Sequence, residues 1–316
     1  MVTDNLGGIK QLKSCIAGII IEYVADESLL LTVDESYHDF IVKSGNPDLS
    51  IKVHYGELPS LNLEKILFDT QDKRGIWAIY QNQENIILTL TSPLFGPEPY
   101  EVAIFDTDFT SGEMYIRPTS SLLENSPDQQ DYNELPCFNP TEYPLDQFVF
   151  IELLSHGRGV NLHGCGVSFG ERGVFFSGSS GAGKSTVAGL WKTKTSVDIL
   201  CDDRIIIRRN NDSFTMFGTP WYSDARVSLN EEAPVTAIYF LKQSKNNKIN
   251  LLDAADSVFR LMVRSFPTYY SKRGMEYTLD FLTGLAETIS CYELEFTPDE
   301  NAINTVINHV QSLEEK

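Results

Sequence analysis

The sequence predicts an α/β chain in two parts: a β-rich N-terminal domain over residues 1–118 and an α/β domain over residues 143–316, joined by a linker or long loop at 119–142. Three observations carry this. Residues 15–118 hold short β-branched and aromatic runs separated by Asn, Gly, Pro and Asp. From Leu145 onward, strand-like and helix-like patterns alternate, which is the arrangement of an α/β unit with a parallel or mixed sheet. Within that second part, the stretch GSSGAGKS sits between an apolar strand and a helical pattern.

Taken in order, IAGIIIEYV, LSIKVHY, GIWAIYQ, NIILTLT, YEVAIFD and EMYIRP read as strands, and YQNQENIILTL reads as a hairpin. His38 and His54 stand isolated here and are expected to be surface or edge residues. The stretch 119–142 is rich in Pro, Asn, Ser and Asp and lacks periodicity, hence the linker. LDQFVFIELLSHG then reads as a helix with an apolar stripe, stopped at Gly157. GVNLHGCGVSF and GVFFSG read as strands joined at GER, and KSTVAGLWKT as a helix. VDILCDDRIIIRR, SFTMFG and VTAIYFLK follow as strands. AADSVFRLMVRSF and MEYTLDFLTGLAETI read as helices, YELEF as a strand and NAINTVINHVQSL as a closing amphipathic helix.

Composition narrows the function classes. At 316 residues, 42% hydrophobic and 22% charged, the chain can bury a sizeable core. A formal charge of −19 repels phosphate backbones and anionic bilayers, so neither a nucleic acid nor a membrane is an expected partner. Five scattered cysteines show no zinc or redox spacing, and Cys165, Cys201 and Cys291 lie in apolar runs where a thiol behaves as a small hydrophobe. The apolar stretch CIAGIII near the N-terminus is too short to span a bilayer, and with no signal-peptide pattern the expected location is cytoplasmic.

The stretch Gly178-Ser179-Ser180-Gly181-Ala182-Gly183-Lys184-Ser185 fits G-x-x-x-x-G-K-[ST], a phosphate-binding loop. Glycines let the backbone wrap so that its N–H groups face phosphate oxygens. Lys184 supplies a point charge, the Ser185 hydroxyl can ligate Mg²⁺, and the helix running on through Thr186 aims its positive end at the anion. Downstream, at the end of the run VDIL, come Asp202 and Asp203. A strand end facing the loop is where a Mg²⁺-holding aspartate belongs. Neighbouring strand residues face opposite sides, so both carboxylates reach one site only if the strand bends or ends there. His163, on the strand before the loop, is a further candidate, with an ordinary structural histidine as the alternative.

The order LHGCGVSFGERGVFFSGSSGAGKST, then DILCDDRIII, then FGTPW resembles the HPr kinase/phosphorylase catalytic domain and its HPr-kinase-like relatives, over roughly residues 145–300. The resemblance implies a P-loop kinase-like domain using ATP and Mg²⁺, with Asp202 as base and Asp203 on the metal. It also implies that His163 contacts the reacting phosphate or the aspartates, and that Gly218, Trp221 and Arg226 form a substrate-side loop. Two family features are missing: the glycine-rich signature after the aspartates and the basic loop used on HPr. The β-rich first part also differs from that of true HPr kinases. The acceptor implied is a hydroxyl, most simply seryl, on a protein, peptide or small molecule.

The functional expectation is therefore an ATP- and Mg²⁺-dependent kinase whose β-rich part helps to recognise the acceptor. A P-loop ATPase or nucleotide-dependent switch, and an inactive nucleotide-binding scaffold, are the alternatives. Homo-oligomerisation stays open.

Overall fold

The computed structural model describes residues 8–70, 77–118, 135–179, 181–193 and 197–313. The linker expected at 119–142 therefore lies largely outside the described residues, as do Gly75 and Ile76 of the expected strand GIWAIYQ. The fold is mixed α/β and divides into two compact units, Met1–Val149 and Phe150–Lys316. Among the described residues no helix is long and apolar enough to cross a membrane.

The first unit is built on an eight-stranded sheet. Its strands are β1 (Gln11–Ile16), β2 (Ile19–Ala25), β4 (Leu49–Tyr55), β5 (Lys65–Asp69), β6 (Trp77–Gln81), β7 (Asn85–Leu90), β8 (Glu101–Asp106) and β9 (Ser111–Ile116). The order is β1-β2-β4-β9-β8-β7-β6-β5. The run IAGIIIEYV is not one strand. Ala17 (φ 53°) and Gly18 (φ 72°) form a two-residue turn, and β1 pairs antiparallel with β2 across it. Positive φ at both turn positions matches the right-handed twist of the flanking strands.

β2 and β4 run parallel, so the chain must cross over between them. The crossover carries β3 (Leu30–Leu31) and a 3-10 helix, Glu35–Phe40, whose Tyr37 and Phe40 are buried. β3 pairs with a two-residue β10 (Cys137–Phe138). The expected hairpin is present as the antiparallel pair β6–β7. His54 is not isolated: it pairs with Asp26 at 3.5 Å and stacks on Tyr115 at 4.8 Å between ring centroids. His38 is exposed.

Helix α1 (Leu145–Ser155) carries no apolar stripe. Apolar residues fall on every side of it, and ten of its eleven residues are buried. The second unit continues with β11 (Val160–His163), β12 (Cys165–Phe169), β13 (Arg172–Ser177), α2 (Lys184–Trp191), β14 (Asp198–Cys201), β15 (Arg204–Asn210) and β16 (Ser213–Phe217). It ends with β17 (Glu232–Gln243), β18 (Lys248–Leu251), α3 (Ala254–Met262), α4 (Lys272–Thr288), β19 (Cys291–Phe296) and α5 (Glu300–Ser312). β17 is the long central strand: antiparallel to β16 at its start, then parallel to β13 on one edge and β19 on the other.

Both faces of this sheet are covered. Ala237, Tyr239 and Leu241 join Val174 and Phe176 against Val187 and Trp191 of α2 and Val306 of α5. Ile238, Phe240 and Phe175 face the other way, toward Leu261 of α3 and Phe281 and Leu285 of α4. Two-sided burial is why these strands read as continuous apolar runs rather than alternating ones. Cys165, Cys201 and Cys291 are buried, and burial pushes all three thiols up from their ordinary range.

Two expected strands are each broken in two, and both breaks form the site. GVNLHGCGVSF splits at Gly164: β11 pairs with β15, while β12 pairs with β13 and β14. A Cβ at Gly164 would lie 2.4 Å from both the Phe175 ring and the Phe176 carbonyl, so the close crossing needs glycine. VDILCDDRIIIRR splits at Asp202-Asp203 into β14 and β15. Two helix bounds also move. The helix expected from Met275 starts at Lys272 because the Ser271 hydroxyl caps it, accepting from Gly274 N at 3.1 Å. The helix expected to run to Phe266 stops at Met262, as Pro267 disfavours helix before it. Residues 264–266 instead run beside β11: Arg264 O accepts from His163 N at 2.8 Å, and Phe266 N donates to Asn161 O at 2.9 Å.

Candidate active site

The loop leaves β13 at Ser177, turns through Gly178–Gly183 and enters α2 at Lys184. Ser180 lies outside the described residues; Ser179 is exposed. Gly181 (φ 77°) and Gly183 (φ 105°) are both in the left-handed region, where a side chain would be strained. At Gly183 an added Cβ would also sit 2.7 Å from the Phe296 ring, and at Gly178 one would sit 2.7 Å from Ala182 Cβ. Gly183 is thus required by both close packing and backbone conformation, Gly178 by packing and Gly181 by backbone conformation. Lys184 Nζ donates to Gly178 O at 3.2 Å, curling back over the loop, and Gln243 Nε2 donates to Gly181 O at 3.0 Å.

Beside the loop lies a cleft of about 400 Å³. Gly181, Gly183, Lys184, Ser185 and Thr186 line it on one side. Gln243, bonded to the loop, lines it too, and His163, Asp202, Asp203, Ser223 and Asp224 complete the lining. The strand ends at Asp202-Asp203, and this lets two adjacent carboxylates face one cleft.

Their surroundings differ. Asp202 is 2% exposed, and its two oxygens accept from Ser223 N at 3.1 Å and Ala225 N at 3.0 Å. Asp203 is more open. Its Oδ1 lies 3.3 Å from His163 Nδ1 and its Oδ2 lies 3.4 Å from Arg204 Nε. The Asp203 carbonyl holds the same element together, accepting from Gly164 N at 2.8 Å and lying 3.1 Å from His163 Nδ1. The buried Ser177 hydroxyl donates to His163 O at 2.7 Å, which ties the histidine strand to the strand feeding the loop.

Of the residues expected on a substrate side, two are structural. Gly218 is buried, and a Cβ there would lie 2.0 Å from Leu229 O. Trp221 is 8% exposed, with its ring edge-on to Phe150 at 5.2 Å. Neither lines the cleft. Arg226 is exposed, at φ 48°, one residue past Ala225. What this loop presents to the cleft is the pair of backbone N–H groups that hold Asp202, and the Ser223 and Asp224 side chains. Ser223, Asp224 and Gln243 carried no sequence signal, since each lies far along the chain from the loop whose cleft it helps to line.

Burial, followed by the charge of Lys184, holds the His163 imidazole below its ordinary value of 6.5, against the opposing pull of Asp203. Burial also lowers the Lys184 ammonium, Asp203 opposes this, and Arg264 adds to it. The His163 shift has a consequence for stability. The unfolded chain binds the imidazole proton more readily than the folded one, so His163 favours folding above the unfolded value near 6.5. That contribution is lost as pH falls through the lower folded value. Thermal melts from pH 7.5 to 5 should show wild type losing more stability than His163→Gln, and parallel curves would contradict the half-buried neutral imidazole.

The site fits a nucleotide with Mg²⁺. Gly181 has no protein atom within 4 Å of where a Cβ would stand, so the loop is open there, and Ser185, Asp202 and Asp203 offer the few oxygen ligands that Mg²⁺ takes alongside phosphate and water. No family model matches the sequence, and no curated protein matches it. Among solved structures, the Hpr(Ser) kinase/phosphatase from Coxiella burnetii is similar over 49% of this chain and 98% of its own, at 13% identity and a TM-score of 0.30. At that level the likeness assigns neither fold nor chemistry; both come from the residues above.

Proposed function

We propose that this chain is a phosphotransferase that moves the terminal phosphoryl group of Mg-ATP to a hydroxyl acceptor on a protein, peptide or small molecule. The observation that carries the reading is the single cleft shared by the Gly178–Ser185 loop, the two aspartates and His163. Phosphoryl transfer asks for positioning and charge stabilisation more than covalent chemistry, so a loop, a metal and one base suffice.

The loop amides and Lys184 would hold the phosphates, and Ser185 with one aspartate would hold Mg²⁺, whose charge offsets that of the phosphate oxygens. Our reading exchanges the aspartate roles implied by the family resemblance. Asp202 is buried with both oxygens engaged by amides, so it is poorly placed to collect a proton, yet each oxygen keeps a lone pair for a metal. Asp203 is more exposed and is oriented by His163 and Arg204, which suits a base. The acceptor hydroxyl gives its proton to Asp203, its oxygen bonds to the terminal phosphorus, and the bond to the ADP oxygen breaks. The β-rich unit supplies acceptor recognition in this reading.

The test is ADP release from Mg-ATP with and without hydroxyl acceptors, namely free serine, seryl peptides and HPr. Acceptor-dependent ADP with a phosphorylated product is the expected result. ADP release indifferent to every acceptor would make the chain an ATPase, and Mg-ATP binding without turnover would make it a scaffold.

A further inference from the structure

The cleft has a neighbour on the far side of His163 and Asp203. These two residues also line a second recess of about 330 Å³, whose other walls include Arg204, Arg264, Val263 and Phe266. One recess therefore opens to the loop and the other to two arginines, with the proposed base between them.

Arg204 is engaged, paired with Asp203 and lying 4.3 Å over the Phe266 ring. Arg264 is not. Its Nε is buried with no hydrogen-bond partner, and among the described residues its guanidinium has no carboxylate within ion-pair distance. Its backbone is fixed, because its carbonyl accepts from His163 N, so the side chain starts from a defined point beside the recess. A buried guanidinium nitrogen left unpaired costs the folded chain free energy that a bound anion would recover.

We propose that the second recess binds the phosphoryl acceptor, and that the acceptor carries a carboxylate held by Arg264. This rests on the phosphotransferase reading above and adds the acceptor's chemical class. The planar guanidinium fork matches a carboxylate in two parallel hydrogen bonds. Base and arginine share one small recess, so hydroxyl and carboxylate belong to one compact group. A hydroxy acid, a free hydroxyl amino acid or the C-terminal residue of a peptide meets that description. Val263 and Phe266 offer apolar wall to the rest of it.

The experiment uses the full chain with Mg-ATP and matched acceptor pairs: L-serine against L-serinamide, glycerate against glycerol, and a peptide ending in serine as free acid against its amide. Phosphorylated product and KM are read for each member, and Mg-ATP binding is read separately by thermal shift. A charge-assisted hydrogen bond contributes about 10- to 100-fold, so the carboxylate members should be preferred by that factor in kcat/KM. Arg264→Met should collapse the preference toward unity, and Arg264→Lys should restore part of it. Equal use of both members of every pair would overturn the proposal while leaving the kinase reading intact. So would an Arg264→Met protein that keeps the preference, or one whose defect lies in Mg-ATP binding alone. No product from any pair, with Mg-ATP still bound, would also overturn it, whereas failure to bind Mg-ATP at all would strike the phosphotransferase reading itself.

Discussion

Lys184→Ala is expected to remove nearly all of the stabilisation that Mg-ATP confers on the folded chain. At a hundredfold excess over Kd, a ligand that binds the native state raises stability by about 2.7 kcal/mol. Losing a charge-assisted contact to phosphate weakens binding by about 100-fold at the upper end, which leaves about 0.4 kcal/mol at the same concentration. The ligand-free protein should melt close to wild type. Lys184 is at the first position of α2, its ammonium bonds to the loop carbonyl of Gly178, and alanine is a better helix former than lysine. Removing it also relieves the repulsion from Arg264 that bears on its ammonium. A thermal-shift titration separates the two effects. An Mg-ATP shift equal to that of wild type would mean that the loop does not hold the nucleotide.

The parts of the site legible in the sequence are those written in contiguous residues. VFF before and STVAGLW after the glycines announced a strand-loop-helix unit, because strand, loop and helix are all set by local patterns. The aspartate pair stood out because two charges interrupt an apolar run. The breaks within strands were illegible for a different reason. At Gly164 the chain changes partners because the Phe175 ring and the Phe176 carbonyl leave no room, and that crowding comes from residues eleven and twelve positions on. The turn at Ala17-Gly18 escaped notice because alanine is not a usual residue at positive φ. Trp221 looked available for a substrate and is buried against Phe150, a contact across 71 residues of sequence. Arg264 falls within AADSVFRLMVRSF, a run that reads as a helix. Only the early stop of α3 and the pairing of residues 264–266 with β11 bring it beside His163.

The aspartates carry the other large expected effect, and their different surroundings make the two variants distinguishable. Asp203→Asn should lower kcat by about 10²- to 10⁴-fold, the usual contribution of a general base, while Mg-ATP still binds. The substitution keeps the shape and one acceptor oxygen, enough for one of the two contacts with His163 and Arg204, but removes the negative charge that takes the proton. Asp202→Asn acts differently. Both Asp202 oxygens accept from backbone N–H groups, and an amide NH₂ in place of one oxygen would point donor at donor. The loop carrying Ser223 and Ala225 should then loosen, with a stability cost of about 1–3 kcal/mol for the unsatisfied buried pair. The Mg²⁺ concentration needed for half-maximal activity should rise at the same time, since one ligand charge is gone. Comparing kcat, the Mg²⁺ midpoint and the melting temperature for both variants decides the assignment. If Asp202→Asn loses transfer at an unchanged Mg²⁺ midpoint and Asp203→Asn shifts that midpoint, the roles revert to those implied by the family resemblance. If both variants lose no more than about twofold in kcat, far short of a base's contribution, the cleft binds nucleotide without catalysing transfer.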